Sequence, residues 1–226
     1  MTGKVVVCVA AHPDDELLGV GGTLIRHARS GDRVGIIILS DGEAAKSDPA
    51  ARDDDRTSKP FEWAGHLGCE IRRIFDLPDQ RFDTVPMVEI ASLLTEEFKT
   101  LDADLVYTHH PGDLNHDHRI AAQATLVALR PMHAAGKSPD VLAFETPSST
   151  EQAPNTAPFS FMPNHFVVID SFLEDKMAAL EVYENELGVA PHPRSRESIR
   201  ALAAKRGSEC GAAAAEAFVI LRSVWN

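Results

Sequence analysis

Short continuous apolar runs recur along the chain, separated by stretches whose apolar residues fall at helical spacing. The runs cover residues 4–10, 34–40, 70–75, 104–110, 140–145 and 165–170. Each is short enough to be a strand buried on both faces, the pattern of a parallel sheet covered by helices. A last run, 218–225, reads as an edge or C-terminal strand. Between the runs, Pro86 opens a helix carrying the stripe Val88, Leu93, Leu94 and Phe98. Ser171 with Glu174 forms a capping-box pattern, and Gly207 reads as a helix stop. This alternation predicts an α/β fold, a Rossmann-like three-layer sandwich around a mostly parallel central sheet.

Two polar segments interrupt the pattern. Residues 41–56 are rich in acids, and residues 146–164 in Ser, Thr and Pro. Loops of this length rim a site or form mobile surface, and both readings stay open. With 226 residues, no repeat and no linker, the chain is expected to form one domain spanning 1–226.

Composition narrows the partners. A formal charge of −12 argues against a nucleic-acid or anionic-membrane surface, because phosphate binding needs basic patches. The substrate is therefore expected to be small or weakly charged, with no nucleic acid involved; the apolar run Val5 to Ala11 is too short for a membrane span, and a homo-oligomer stays open. Cys8, Cys69 and Cys210 are widely spaced and odd in number, so they read as buried reduced thiols of a cytoplasmic protein.

The candidate chemistry sits at two predicted strand ends. The first strand runs into His12-Pro13-Asp14-Asp15-Glu16, a crowd of acids that raise one another's pKa unless a cation sits among them. A helix start with dipole-favoured acids and one incidental histidine would also produce it. The second stretch, Thr108 to Arg119, packs four histidines and two aspartates close together after another strand, and structural uses seldom cluster histidines so. A strand-end His-x-x-Asp plus one histidine from a neighbouring strand gives two nitrogens and one oxygen. That is the ligand set of a catalytic zinc with one position left to water. Asp15 would bind the cation, and Asp14, turned away from it, would take a proton from the water.

HPDDE after a first strand, followed by T-H-x-x-x-D-x-N-x-D-H-R, resembles the PIG-L/LmbE-like zinc-dependent N-deacetylases. Further matches are Leu77 to Arg81, Pro191 to Ser195, Arg206 to Ser208 and Ala215 to Phe218. The resemblance spans nearly the whole chain. It implies removal of an acetyl group from N-acetylglucosaminyl compounds or related amides, one zinc ion per chain held by His12, Asp15 and His118, and Asp14 as general base. The histidine that many members use to stabilise the oxyanion is replaced here by Asn115. An amide donates a hydrogen bond but supplies no imidazolium, so His192, His110 or His116 are candidates to share the task. Asp117 is expected to orient a neighbouring histidine or the adjoining loop.

His192, between two prolines, could present its ring to a cleft or simply lie on the surface. Arg194 offers a partner for an anionic part of the substrate or for one of the many acids. Asp79, Gln80 and Arg81 could bind sugar hydroxyls or form a turn; Asp41, Arg56, His110 and Asp113 are further candidates for the substrate side. Gly19, Gly21 and Gly22 lie too far into the first helix for a dinucleotide fingerprint and suit close helix packing. The rival readings are a zinc amidase acting on a thiol conjugate or other non-sugar amide, and a non-catalytic metal- or sugar-binding protein of the same fold.

Overall fold

In the computed structural model the described residues are 3–42, 57–131 and 138–225. Seven strands form one sheet, β1 (Val5–Ala10), β2 (Arg33–Ile38), β3 (Cys69–Ile74), β4 (Leu105–His109), β5 (Asp140–Phe144), β6 (His165–Val168) and β7 (Ala215–Arg222), in the order β3-β2-β1-β4-β5-β7-β6. From β3 to β5 every pairing is parallel, and β7 inserts antiparallel between β5 and β6. The order reverses between β1 and β4. In an open α/β sheet such a reversal opens a crevice at the carboxyl ends of the strands.

The sheet is buried on both sides because strand residues alternate between two cores. Val6, Cys8 and Ala10 face one core with helices α1 (Asp15–Arg29), α2 (Lys59–Leu67), α5 (Leu173–Ala179) and α6 (Arg196–Cys210). Val7, Val9 and Ala11 face the other, against α3 (Met87–Leu101) and α4 (His116–Ala128). Along α1, a Cβ on Gly19 would stand 2.3 Å from the Phe144 ring and one on Gly22 2.9 Å from Ile169. The glycines thus bring the helix that carries Asp15 tightly onto the sheet.

Several expectations need correction. The strand of the 218–225 run starts earlier, at Ala215, and ends at Arg222; it is the C-terminal strand but not an edge, because β6 lies outside it. Gly207 lies inside α6, where a Cβ would stand 2.7 Å from the Ala212 carbonyl, and the left-handed stop is Gly211. The Ser171 capping box does not form: α5 is capped at Phe172 with no side-chain bond, while Glu174 reaches across to Arg200. Val88 is 70% exposed, and the stripe that α3 buries runs through Ile90, Ala91 and Leu94. Cys210 is exposed, unlike Cys8 and Cys69. No helix among the described residues is long and apolar enough to cross a membrane.

Candidate metal centre and active site

His12 leaves the end of β1, and Asp14 and Asp15 open α1, with Asp14 at the N-cap in a strained backbone conformation, φ 109°. His109 ends β4, and His118 lies in the first turn of α4, whose N-cap Asn115 accepts the Asp117 N–H at 2.9 Å. The two strands that flank the topological reversal therefore deliver both halves of the cluster to one edge.

The side chains converge on one oxygen. Asp15 Oδ2 stands 3.3 Å from His12 Nδ1, 3.3 Å from His118 Nε2 and 3.5 Å from His109 Nε2. Its other oxygen, Oδ1, is buried and has no hydrogen-bond partner. One donor atom each from His12, Asp15 and His118 can be chosen within 4.8 Å of one another. An orphaned carboxylate oxygen beside two imidazoles is costly unless something binds it, and a divalent cation satisfies all three groups at once. Two imidazole nitrogens and one carboxylate suit zinc. A second set, His12, Asp79 and Asp117, shares His12. Its Asp117 carboxylate is already occupied, accepting the N–H groups of Gln80 at 2.7 Å and Phe82 at 3.1 Å as well as His12 Nε2 at 3.1 Å.

Each histidine is oriented from behind, as metal-ligating histidines usually are. His12 Nε2 meets the carboxylates of Asp117 and Asp79, the latter at 3.2 Å. His118 Nδ1 lies 3.2 Å from Asp113 Oδ1, which leaves Nε2 as its ligand atom. His109 is different. Its Nε2 accepts the Ala11 N–H at 2.9 Å and its Nδ1 faces Thr146 Oγ1 at 3.2 Å, which fixes a neutral ring with the proton on Nδ1.

The electrostatics follow the same division. Burial works against a charged His118, yet Asp15 and Asp113 outweigh it and lift the ring to about 9. Burial likewise opposes a charged His12, and the carboxylates of Asp117, Asp15 and Asp79 hold it well above its ordinary value. Burial and then the neighbouring His118 push His109 down to about 3. Asp113 is drawn down to about 2: burial would raise it, but His118, Ser149 and Thr150 prevail. Glu16 is raised to about 8 by burial and by Asp14, although it accepts bonds from Tyr183, Trp63 and the Asp14 N–H.

A cleft of about 240 Å³ opens over this cluster. His12, Asp14, Asp15 and His118 line it together with Asp79, Gln80, Asn115, Glu186 and Arg194. Arg194 Nη1 donates to Asp14 Oδ2 at 2.9 Å and its Nε donates to Ser148 Oγ at 2.7 Å, so its partner within the protein is an acid of the site. A larger hollow, about 510 Å³, lies at the opposite ends of the strands around His27, Asp32 and Tyr107 and holds neither set of ligands.

Other expected site residues sit elsewhere. His192 is exposed and absent from the cleft wall; its Nδ1 accepts the Arg194 N–H at 3.1 Å, and its ring fills the space beside Gly188. His110 is turned into the loop that follows β5, with Nε2 on the Phe159 carbonyl at 3.0 Å and its ring edge-on to Phe161. His116 is exposed at the start of α4. None of the three lines the cleft, so Asn115 is the side chain of that group that does. Asp113 is fully buried behind His118, away from any substrate surface. Arg81 is exposed at the cap of a 3-10 turn, and at the end of β2 it is Gly42, not Asp41, that reaches the wall. Arg56 lies outside the described residues. The sequence reading gave no role to His109, nor to Ser149 and Thr150; the doubled histidine at a strand end was the available signal for the first.

The sequence profile described as GlcNAc-PI de-N-acetylase (PIG-L) matches residues 7–129, more than half of the chain and both ligand-bearing strand ends. The chain belongs to the PIG-L family. By family it is a hydrolytic deacetylase. It is 28% identical over 188 residues to the uncharacterized deacetylase YaiS of Escherichia coli, covering 80% of this chain and 91% of that one. With the diacetylchitobiose deacetylase of Thermococcus kodakarensis it shares 26% identity over 197 residues, covering 81% of this chain and 70% of the relative. The fold is also that of the solved 4-carboxy-2-hydroxymuconate hydratase GalB from Pseudomonas putida, with a TM-score of 0.76, 23% identity and 99% of each chain covered. That likeness shows the fold alone, and the chemistry is argued from the site.

Proposed function

We propose that this PIG-L family protein is a zinc-dependent hydrolase that removes the acetyl group from an N-acetylated amino sugar or sugar conjugate, acting as one domain over residues 1–226. The observation that carries the reading is the buried Asp15 carboxylate, whose Oδ2 stands beside His12 and His118 and whose Oδ1 has no partner, next to a cleft whose wall includes a further acid, Asp14. The similarity to a diacetylchitobiose deacetylase supports the sugar amide.

His12, Asp15 and His118 hold the zinc ion, with Asp117 and Asp113 orienting the two rings. Zinc bound there supplies Lewis acidity toward the amide carbonyl and the attacking water. Asp14 accepts the water's proton as the oxygen adds to the carbonyl carbon, then returns it to the nitrogen as the C–N bond breaks, releasing acetate and a free amine. Arg194, bonded to Asp14, aims that carboxylate. Asn115, whose Oδ1 is engaged at the helix cap, has its amide N–H left to donate to the developing oxyanion. Asp79, Gln80 and Glu186 are the polar wall for the sugar hydroxyls.

The test is acetate release by zinc-loaded protein across a panel of N-acetyl sugars, with a thiol-conjugate amide and an unsaturated carboxylic acid as competing substrates. Asp14→Asn is expected to keep its zinc and lower kcat by about 10²- to 10⁴-fold. Wild-type turnover in that variant would refute the base. Turnover of the thiol conjugate alone would move the assignment to that amidase reading. Hydration of the acid without any amide cleavage would move it to the chemistry of the hydratase, and binding without any turnover would make the protein a binding module.

A further inference from the structure

Immediately after β5, the turn Thr146 to Thr150 touches three parts of the candidate site: His109, the Arg194–Asp14 pair and the Asp113–His118 pair. Thr146 Oγ1 faces His109 Nδ1 at 3.2 Å, and Ser148 Oγ accepts from Arg194, the partner of Asp14. Ser149 donates its hydroxyl to Asp113 Oδ1 and lies 3.5 Å from His118 Nδ1. Thr150 donates to Asp113 Oδ2 at 2.5 Å while its oxygen accepts the Thr146 N–H at 2.7 Å. Thr146, Ser149 and Thr150 are all buried.

The bond directions leave little freedom. Because the Thr146 N–H donates to Thr150, the Thr150 hydroxyl hydrogen is committed to Asp113. Asp113 also accepts the Asn115 N–H at 2.8 Å, so its remaining capacity is turned on His118 Nδ1. A backbone amide, a hydroxyl, a carboxylate and an imidazole thus form one chain of hydrogen bonds that ends at His118 Nδ1, the ring nitrogen opposite the ligand atom Nε2. Carboxylates that accept several hydrogen bonds stay ionised, and an ionised partner raises the donor strength of the imidazole it orients. Ser148 holds a φ of 74°, a conformation that a non-glycine residue keeps only where its surroundings fix it.

We infer that Thr150 and Ser149 are positioning residues of the metal centre: through Asp113 they set the tautomer and orientation of His118, and with them the affinity for the ion. This rests on His118 being a ligand, as proposed above. The experiment competes purified full-length protein against a chromogenic chelator for zinc, a measurement independent of turnover. Thr150→Val, close to isosteric, is expected to weaken zinc binding about tenfold, at the lower end of what loss of an outer-shell partner costs. Thr150→Ser, which keeps the hydroxyl, is expected to restore it. Ser149→Ala leaves the Thr146–Thr150 bond intact, provides a second variant should Thr150→Val fold poorly, and is expected to weaken binding in the same direction. In an Asp113→Asn background, Thr150→Val should add nothing further, because the chain to His118 is already broken. Additive losses, or wild-type affinity in both Thr150→Val and Ser149→Ala, would overturn the inference. His118→Ala separates the two levels: zinc binding that survives this change overturns the metal site itself, whereas its loss beside unaffected turn variants overturns only the role of the turn.

Discussion

Asp14 holds its backbone at φ 109°, Gln80 at 56° and Ser148 at 74°. Of the non-glycine residues with positive φ among those described, only Asp102, which ends α3, lies away from the site. Such conformations cost about 1–3 kcal/mol each and persist where neighbouring contacts over-determine them. Here the contacts are visible: the Asp14 N–H is tied to Glu16, the Gln80 N–H to Asp117 and the Ser148 N–H to Glu151. The cysteines show the opposite, inert case. Burial lifts the Cys69 thiol to about 12 and Cys8 well above its ordinary range, while Cys210 is exposed. A raised thiol pKa keeps the proton on sulfur at neutral pH, so neither buried residue offers a thiolate to an outside reagent. Native protein at neutral pH should therefore release about one equivalent of chromophore with a disulfide reagent and about three in denaturant. Rapid labelling of two or more thiols in the native state would show that the packing around β1 and β3 is looser than described.

Among the elements, α6 is tied to the sheet through Arg206. Arg206 makes a two-pronged bond to Glu145 at the end of β5, 2.6 and 2.7 Å, reaches Glu209 at 2.8 Å and lies over the Phe161 ring. The pair is mostly shielded from solvent, so removing one partner leaves an uncompensated charge, a loss on the order of 3–5 kcal/mol for a fully buried pair and somewhat less here. Arg206→Met is expected to lower the unfolding free energy measured in urea by about 2–4 kcal/mol while zinc binding persists; a change under about 0.5 kcal/mol would mean that solvent screens the pair. This anchor also marks the limit of what the sequence discloses. The strands were legible because continuous apolar runs bury both faces, and His12 to Glu16 was legible because the ligands lie within one turn of chain. The strand from Ala215 was hidden by an alanine-rich start with little β signal. Gly207 was misread because its missing side chain serves a backbone contact inside the helix. The turn behind Asp113 was hidden for a third reason. Ser149 and Thr150 lie 36 and 37 residues beyond Asp113, and a Ser/Thr/Pro stretch has the composition of exposed loop until the fold buries it.

At the scale of the whole molecule, the candidate ligands come from either side of the sheet's reversal, His12 and Asp15 after β1 and His118 after β4, about one hundred residues apart in the chain. No such constellation exists in the unfolded chain, so ion binding and folding are coupled: whatever binds only the native form stabilises it by mass action. Zinc at one hundred times its dissociation constant contributes about 2.7 kcal/mol, which for a chain of this size is a rise in Tm of about 5–10 °C. The full charge of −12 adds non-specific attraction for any cation, so magnitude alone does not identify the site. Specificity is read from the variants. Chelator-stripped wild-type protein should regain the shift on adding zinc but not on adding the same charge as magnesium, which prefers a shell of oxygens to imidazole. His12→Ala and His118→Ala should each lose the zinc-dependent part of Tm, and Arg206→Met should keep it on a lower baseline. Equal shifts with magnesium, or an undiminished zinc shift in both histidine variants, would place the stabilising ion somewhere other than the end of β1.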